Sequence, residues 1–202
     1  MALVLSKDYG TLHNTLIGAA RTAGVYPTSK DRGLCFKISH EWLMSRWRGL
    51  KFDGDKLDII TVGKKQMEYL KQADATDMSQ YQTWFSNANA LSQVTLQSWG
   101  RDFGQSCAPP YVAGTLVGAD PLKGNPDTAM IVGFFGVKNA GGVWGHATAY
   151  CCRNAKGRFF DVNYGVFKFT GSDDAPTQMD DWIKSKYETD KTITDFALYQ
   201  VV

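Results

Sequence analysis

Helical and extended periodicities are segregated along this chain, and that segregation limits the possible folds more than any other feature. In the N-terminal half, apolar residues recur at helical spacing. They run through Leu12, Leu16 and Ala19-Ala20 up to Gly24, from Cys35 to Trp47 with Gly49 as a stop, from Leu57 to about Leu70, and from Ser79 to about Trp99. The C-terminal half reads as strands and tight turns. Ala129 to Val137 is a continuous apolar run suited to a buried central strand, Asn139-Ala140-Gly141-Gly142 turns the chain, and Val143 to Cys152 returns. Asn154 to Gly157 makes the next turn before Arg158 to Asp161, and Asn163-Tyr164-Gly165 leads into the alternating segment Val166 to Thr170. Met179 to Tyr187 predicts one more helix and Phe196 to Val202 a terminal strand. Helices followed by strands imply α+β, an N-terminal helical layer packed on a C-terminal antiparallel sheet, rather than alternating βαβ units. The Cys107 to Pro126 stretch is a short joint carrying apolar residues, and 202 residues suit one core, so 1–202 is expected to form a single domain.

The formal net charge is only +2, and no helix-length run gathers Lys and Arg without intervening acids, so no nucleic-acid partner is expected. Met1 to Leu5 is apolar for too few positions to make a signal peptide, no run reaches bilayer length, and neither Ala2 nor Gln200-Val201-Val202 fits a lipidation motif. Stable membrane insertion is therefore not expected. The four cysteines, at 35, 107, 151 and 152, read as reduced thiols. Cys151 and Cys152 are neighbours on a strand, where successive side chains point to opposite faces and a bridge would be strained. With no C-x-x-C pair and three scattered histidines, neither a metal nor a cofactor is called for.

Cys35 follows a glycine-containing loop and begins a helix, where orphan backbone N–H groups and the positive helix end favour a thiolate. A lone cysteine there is more often a small packed apolar residue. His146 changes the balance, because a histidine in the small, apolar strand Gly145-His146-Ala147 needs partners for its ring nitrogens. One hairpin later Asp161 ends an aromatic strand, directly opposite His146 or one or two pleats along, and a carboxylate there can hold one nitrogen while the other faces a thiol. The remaining candidates read as structural. His40 is expected to face solvent beside Lys37 and Met44, and His13 to lie on the surface of the first helix. Cys107, Cys151 and Cys152 are packing residues, and Trp144 is either a shield for the His–Asp pair or a plain core residue. Asp173-Asp174 and Asp180-Asp181 read as loop and helix-start acids.

Gly33-Leu34-Cys35 opening a helix that runs to Glu41-Trp42-Leu43, then Gly145-His146-Ala147-Thr148, then Arg158-Phe159-Phe160-Asp161-Val162-Asn163-Tyr164-Gly165, resembles the YopT/AvrPphB-type effector cysteine peptidases. The Phe-Phe-Asp-x-Asn-x-Gly block is the most specific part. The resemblance implies a papain-like fold and a catalytic triad of Cys35, His146 and Asp161. It also implies a thiol protease secreted by a bacterium without a cleavable signal peptide, cleaving a protein substrate in the target-cell cytosol, with a secretion chaperone or an immunity or inhibitor protein as further partners. One departure is visible. Papain-like enzymes usually place an Asn or Gln five or six residues before the nucleophile as oxyanion donor, whereas Lys30 and Ser29 stand there, beside the Cys35 backbone N–H. Two rival readings remain, a Gln/Asn deamidase using the same triad and a catalytically inactive binding module of the same fold.

Overall fold

A computed structural model of the chain describes residues 3–26, 33–74, 111–119, 122, 127–154, 156–169 and 175–201. Its centre is the hairpin of β3 (Thr128–Lys138) and β4 (Val143–Arg153). Both strands are buried over most of their length, which is why β3 reads as continuously apolar. On one side of β4 lie β5 (Lys156–Asp161) and β6 (Gly165–Lys168); on the far side of β3 lies β7 (Lys191–Val201). The edges are β1 (Val4–Asp8) beside β6 and β2 (Tyr111–Ala113) beside β7, so the seven strands run β1-β6-β5-β4-β3-β7-β2, each pairing antiparallel.

Among the described residues the α-helices are α1 (Leu12–Thr22), α2 (Cys35–Trp47), α3 (Ile59–Asp74) and α4 (Ala175–Tyr187). Alternation along the strands divides the core in two. Ala129, Ile131, Ala147, Ala149 and Phe160 face α1 to α3, where Leu16, Ile38, Leu43 and Val62 pack on them. Met130, Val132, Tyr150, Phe159 and Leu198 face the other way, onto Met179, Ile183 and Tyr187 of α4. Each Val, Leu, Ile, Met or Phe among them contributes about 1.5–3 kcal/mol on burial, so both layers are integral to the fold. The α+β arrangement expected from the sequence is therefore present, with α4 added on the second face of the sheet.

Boundaries differ in instructive places. The turn after β4 is tighter than expected, with Arg153 paired to Lys156 and Asn154 at φ 51°. Helix α4 starts at Ala175 and β7 at Lys191, both earlier than the periodicity suggests. The edge strands β1 and β2 are absent from the sequence reading. All five residues of β1 are exposed, so it has no buried alternation to reveal it. It is seated instead by backbone pairing across Gly165, where φ is +130° and a Cβ would lie 2.1 Å from the Lys7 carbonyl oxygen. Cys151 and Cys152 fall in opposite core layers and are unbridged. The predicted helix from Ser79 to about Trp99 and the Cys107 to Pro110 part of the joint lie outside the described residues.

Candidate active site

The start of α2 is tied to three other elements. Leu34 is its N-cap, and the Leu34 N–H donates to His13 Nε2 of α1 at 3.3 Å. The Lys37 N–H is taken by Gln66 Oε1 of α3 at 3.0 Å, and the Ser39 hydroxyl donates to the Ala147 carbonyl of β4 at 3.0 Å. Two orphan donors of the first turn are thus satisfied by side chains, and the helix end is held against the sheet. Cys35 itself is half-buried, in dense surroundings.

His146 and Asp161 both point to the α4 face. The β4–β5 ladder ends at the pair Ala149 and Phe160. Extended by one step, that register sets Asp161 opposite Thr148, so His146 stands diagonally from the carboxylate, one pleat along. His146 Nε2 lies 3.2 Å from Asp161 Oδ2. The carboxylate has no exposed surface, and it is satisfied from three sides. Its Oδ1 accepts the Asn163 N–H at 2.7 Å, and its Oδ2 accepts the Tyr187 hydroxyl at 2.8 Å as well as the imidazole. Beyond the end of the ladder β4 and β5 no longer pair, and α2 meets β4 there. With Nε2 committed to Asp161, Nδ1 is the nitrogen left to face Cys35, whose charge is coupled to that of the ring.

The electrostatics favour one charge state for the pair. Burial alone pushes the Cys35 thiol up, but the His146 charge, the hydrogen bond to its ring and a backbone hydrogen bond from Ala147 together hold it below the ordinary thiol value. Burial likewise opposes charge on His146, yet Asp161 and Cys35 outweigh it and raise the imidazole to about 10. A thiolate facing an imidazolium is the state both directions describe. Phe134 packs edge-on to the His146 ring at 5.4 Å, and Tyr187 lies 5.1 Å from it, so the ring is held by aromatic contacts as well as by Asp161.

His13 is not the surface residue its helix position suggests. Its Nε2 accepts from the Leu34 N–H, so the proton sits on Nδ1, which donates to Asn163 Oδ1 at 2.5 Å. Asn163 Nδ2 donates to the Tyr187 oxygen at 3.0 Å, and Tyr187 donates to Asp161. A directed chain of hydrogen bonds therefore runs from the residue before Cys35, through His13, Asn163 and Tyr187, to the carboxylate that holds His146. Burial, followed by the His146 charge, lowers the His13 pKa to about 4, consistent with a neutral ring that accepts from the backbone. Asn163 stands inside the Phe-Phe-Asp-x-Asn-x-Gly block with no role the sequence discloses, and Tyr187 at the end of α4 carries no sequence signal. The rest of the block is explained by place: Phe159 packs on Trp182 of α4, and Phe160 stacks on Trp42 of α2 at 5.1 Å.

Other expectations are corrected. His40 does not face solvent: it is 1% exposed, with Nδ1 3.3 Å from Lys37 Nζ, and Lys37 is itself buried and ion-paired to Glu41. Helix α2 is covered on nearly every side, which its own periodicity cannot reveal. Asp180 is no helix-start acid, since α4 begins at Ala175. It is buried, accepts the Leu116 N–H at 2.7 Å and pairs with Lys184 at 2.8 Å. Trp144 stacks on Tyr187 at 6.1 Å, one ring removed from the His–Asp pair. Ser29, Lys30, Cys107 and Asp173-Asp174 lie outside the described residues. Among the described residues no group of three or more His, Cys, Asp or Glu side chains is placed to hold a metal ion.

No protein-family model and no curated protein matches this sequence. Among solved structures, the fold is similar to that of the Pseudomonas avirulence protein AvrPphB, with a TM-score of 0.59 over 84% of this chain and 91% of that one, at 18% sequence identity. At that identity the likeness speaks for the fold, and the fold it speaks for is the papain-like α+β arrangement to which the sequence resemblance pointed.

Proposed function

We propose that this chain is a thiol hydrolase of the protease type, acting as one papain-like domain over 1–202, with Cys35 as nucleophile, His146 as acid and base, and Asp161 as the residue that orients the imidazole. The observation that carries the reading is the arrangement around one ring: Asp161 on Nε2 at 3.2 Å, and Cys35 near enough to the same imidazole that each group's charge shifts the other's pKa. The Cys35 thiolate attacks a peptide carbonyl carbon, and the oxyanion forms beside the Cys35 backbone N–H, a first-turn donor with no intrahelical partner. Ser29 and Lys30 are the candidates for a second donor. His146 gives its Nδ1 proton to the leaving nitrogen as the C–N bond breaks, leaving a thioester. Water then attacks the thioester while His146 takes its proton, and the acid product and the thiolate are released. The proton given to the leaving nitrogen comes from His146 and is replaced from the attacking water, and the buried Asp161 favours the charged imidazole whenever it forms.

The likeness to an avirulence protein, together with the sequence motifs, supports a bacterial effector. In this reading the protein is secreted without a cleavable leader, meets a protein substrate in the target-cell cytosol, and has a secretion chaperone or an inhibitor as partner. The test is a search for new N-termini in a target-cell lysate treated with wild-type protein and with Cys35→Ala. Wild-type-specific cleavage is the expected result. A mass gain of about one unit on an intact target assigns the same acyl-enzyme chemistry to a side-chain amide instead. Iodoacetamide labelling near pH 6 that is equally slow at all four cysteines would overturn the enzymatic reading altogether.

A further inference from the structure

Toward the opposite end of α2 lies a pocket of about 220 Å³ whose lining includes four cations and no acid: Lys7 of β1, Arg46 of α2, Lys51 of the following loop and Arg158 of β5. Trp42 and Phe52 are its buried apolar floor. Arg46 follows Cys35 by three helical turns, about 16 Å along the axis at roughly 1.5 Å per residue, so this is a separate place from the thiol. Among the described residues none of the four cations meets a carboxylate. The ion pairs among the described residues are made by other lysines and by His146. Lys7 Nζ lies 4.4 Å over the Tyr9 ring, and among the described residues Arg158 donates only to the neighbouring Gly157 carbonyl, at 2.7 Å. Arg46 Nε is buried with no hydrogen-bond partner among the described residues.

The strand register sharpens the imbalance. Lys168 of β6 stands directly opposite Arg158, a like-charge pair that destabilises a sheet. Burial, and then the Arg46 charge, push the Arg158 pKa below its ordinary value. Since the whole chain carries only +2, the concentration is local. Like charges crowded this way oppose folding unless a counter-charge is supplied. The helix end offers little of it, because the Trp47 carbonyl is already taken by the Arg153 guanidinium.

We propose that this pocket binds a small soluble anion carrying more than one phosphate. The half-buried Arg46 and Arg158 present guanidinium forks suited to phosphate oxygens, while the exposed Lys7 and Lys51 supply point charges for a second phosphate. The volume falls below the roughly 300–1,000 Å³ of pockets for drug-sized ligands, which suits a compact polyanion.

The probe is inorganic pyrophosphate, titrated calorimetrically into the full chain at about 0.15 M salt, where loose surface attraction is screened. One saturable site is expected. Arg46→Gln/Arg158→Gln should weaken it by about tenfold or more, the loss of charged hydrogen bonds. Cys35→Ala and the distant Lys64→Gln/Lys65→Gln should bind within about twofold of wild type on the same scale. If the arginine pair does not fold, Lys7→Gln/Lys51→Gln, at exposed positions, must weaken binding by about threefold or more. The proposal is overturned if wild type shows no saturable binding, if the pocket variants bind as wild type does, or if sodium chloride at matched ionic strength gives the same heat. Sedimentation with phosphatidylserine vesicles in place of a pyrophosphate response overturns it too, by making the patch a membrane surface.

Discussion

At the start of α2 the polar side chains around Cys35 are joined to one another, whereas toward its end four cations line a pocket to which the described residues bring no counter-charge. In the first region Asp161 holds His146, Tyr187 and Asn163 hold Asp161, and His13 ties Asn163 back to the helix that presents the thiol. Its polar groups are paired with one another inside the fold, the imidazole standing between the carboxylate and the thiol, so the arrangement exists before any ligand arrives. In the second region Arg46, Arg158, Lys7 and Lys51 leave the balance open. In the proposed reading one helix serves two kinds of site: one arranged to change a bond, the other completed by what it holds.

The sharpest way to break this contrast is to remove the reacting groups. Cys35→Ala or His146→Ala should lower turnover by about 10⁴-fold or more, and wild-type turnover by either variant would end the assignment. Asp161→Asn should cost about 10²–10⁴-fold, because the amide no longer stabilises the imidazolium, with the loss read in single-turnover assays on any cleaved substrate. The pH profile follows from the two shifts. Protonation of Cys35 below its lowered pKa removes the nucleophile on the acid side. Loss of the His146 proton, near 10, removes the acid that expels the leaving group on the alkaline side. Turnover should therefore form a broad plateau across neutral pH with its alkaline fall near 10; a fall near 7 would mean that the ion pair does not form. Arg46→Gln/Arg158→Gln should leave both limbs in place, since those cations face the other site.

Tyr187→Phe is a milder test of the same end. It removes the hydroxyl that donates to Asp161 and accepts from Asn163, two hydrogen bonds at 2.8 and 3.0 Å. A loss of about 1–3 kcal/mol in stability is expected from buried groups left without partners. The Cys35 alkylation rate at pH 6 should fall as well, while native-state labelling of buried Cys151 stays slow. Unchanged alkylation would show that the tyrosine supports the fold and not the orientation of the imidazole.

How far such sites can be read in a sequence depends on whether the signal lies within one element. The strands Thr128–Lys138 and Val143–Arg153 and the helix Cys35–Trp47 are legible because each carries its own periodicity or apolar run. Cys35, His146 and Asp161 are legible because each breaks the pattern of its own element: a thiol at a helix start, a histidine in an apolar strand, an acid after two phenylalanines. The five exposed residues of β1 carry no such pattern, and that strand exists through pairing with β6 and the room left by Gly165. His13 and His40 look like surface residues because a helix's own spacing cannot say what packs against it from elsewhere. The cationic pocket is invisible for the same reason. Its charges come from β1, α2, a loop and β5, each too sparse to register as a basic run, and the sheet brings them together.

The smallest expected effect concerns His13, and it asks whether the hydrogen-bond chain at the start of α2 depends on a neutral ring. In the unfolded chain this histidine titrates near 6.5, and in the fold near 4, so it is held in its neutral form. As pH falls through 6.5 the unfolded state gains a proton that the native state refuses until about 4. Stability is therefore complete above 6.5 and lost progressively across that window. His40, also held well below its ordinary value by burial, acts in the same direction, so wild type alone does not isolate His13. The comparison with His13→Gln does, because glutamine can donate and accept but cannot titrate. Urea melts of the two proteins at pH 7 and pH 4.5 should show wild type losing about 1–2 kcal/mol more than the variant between those conditions. Equal losses would place His13 outside the network and leave Leu34 held by the helix alone.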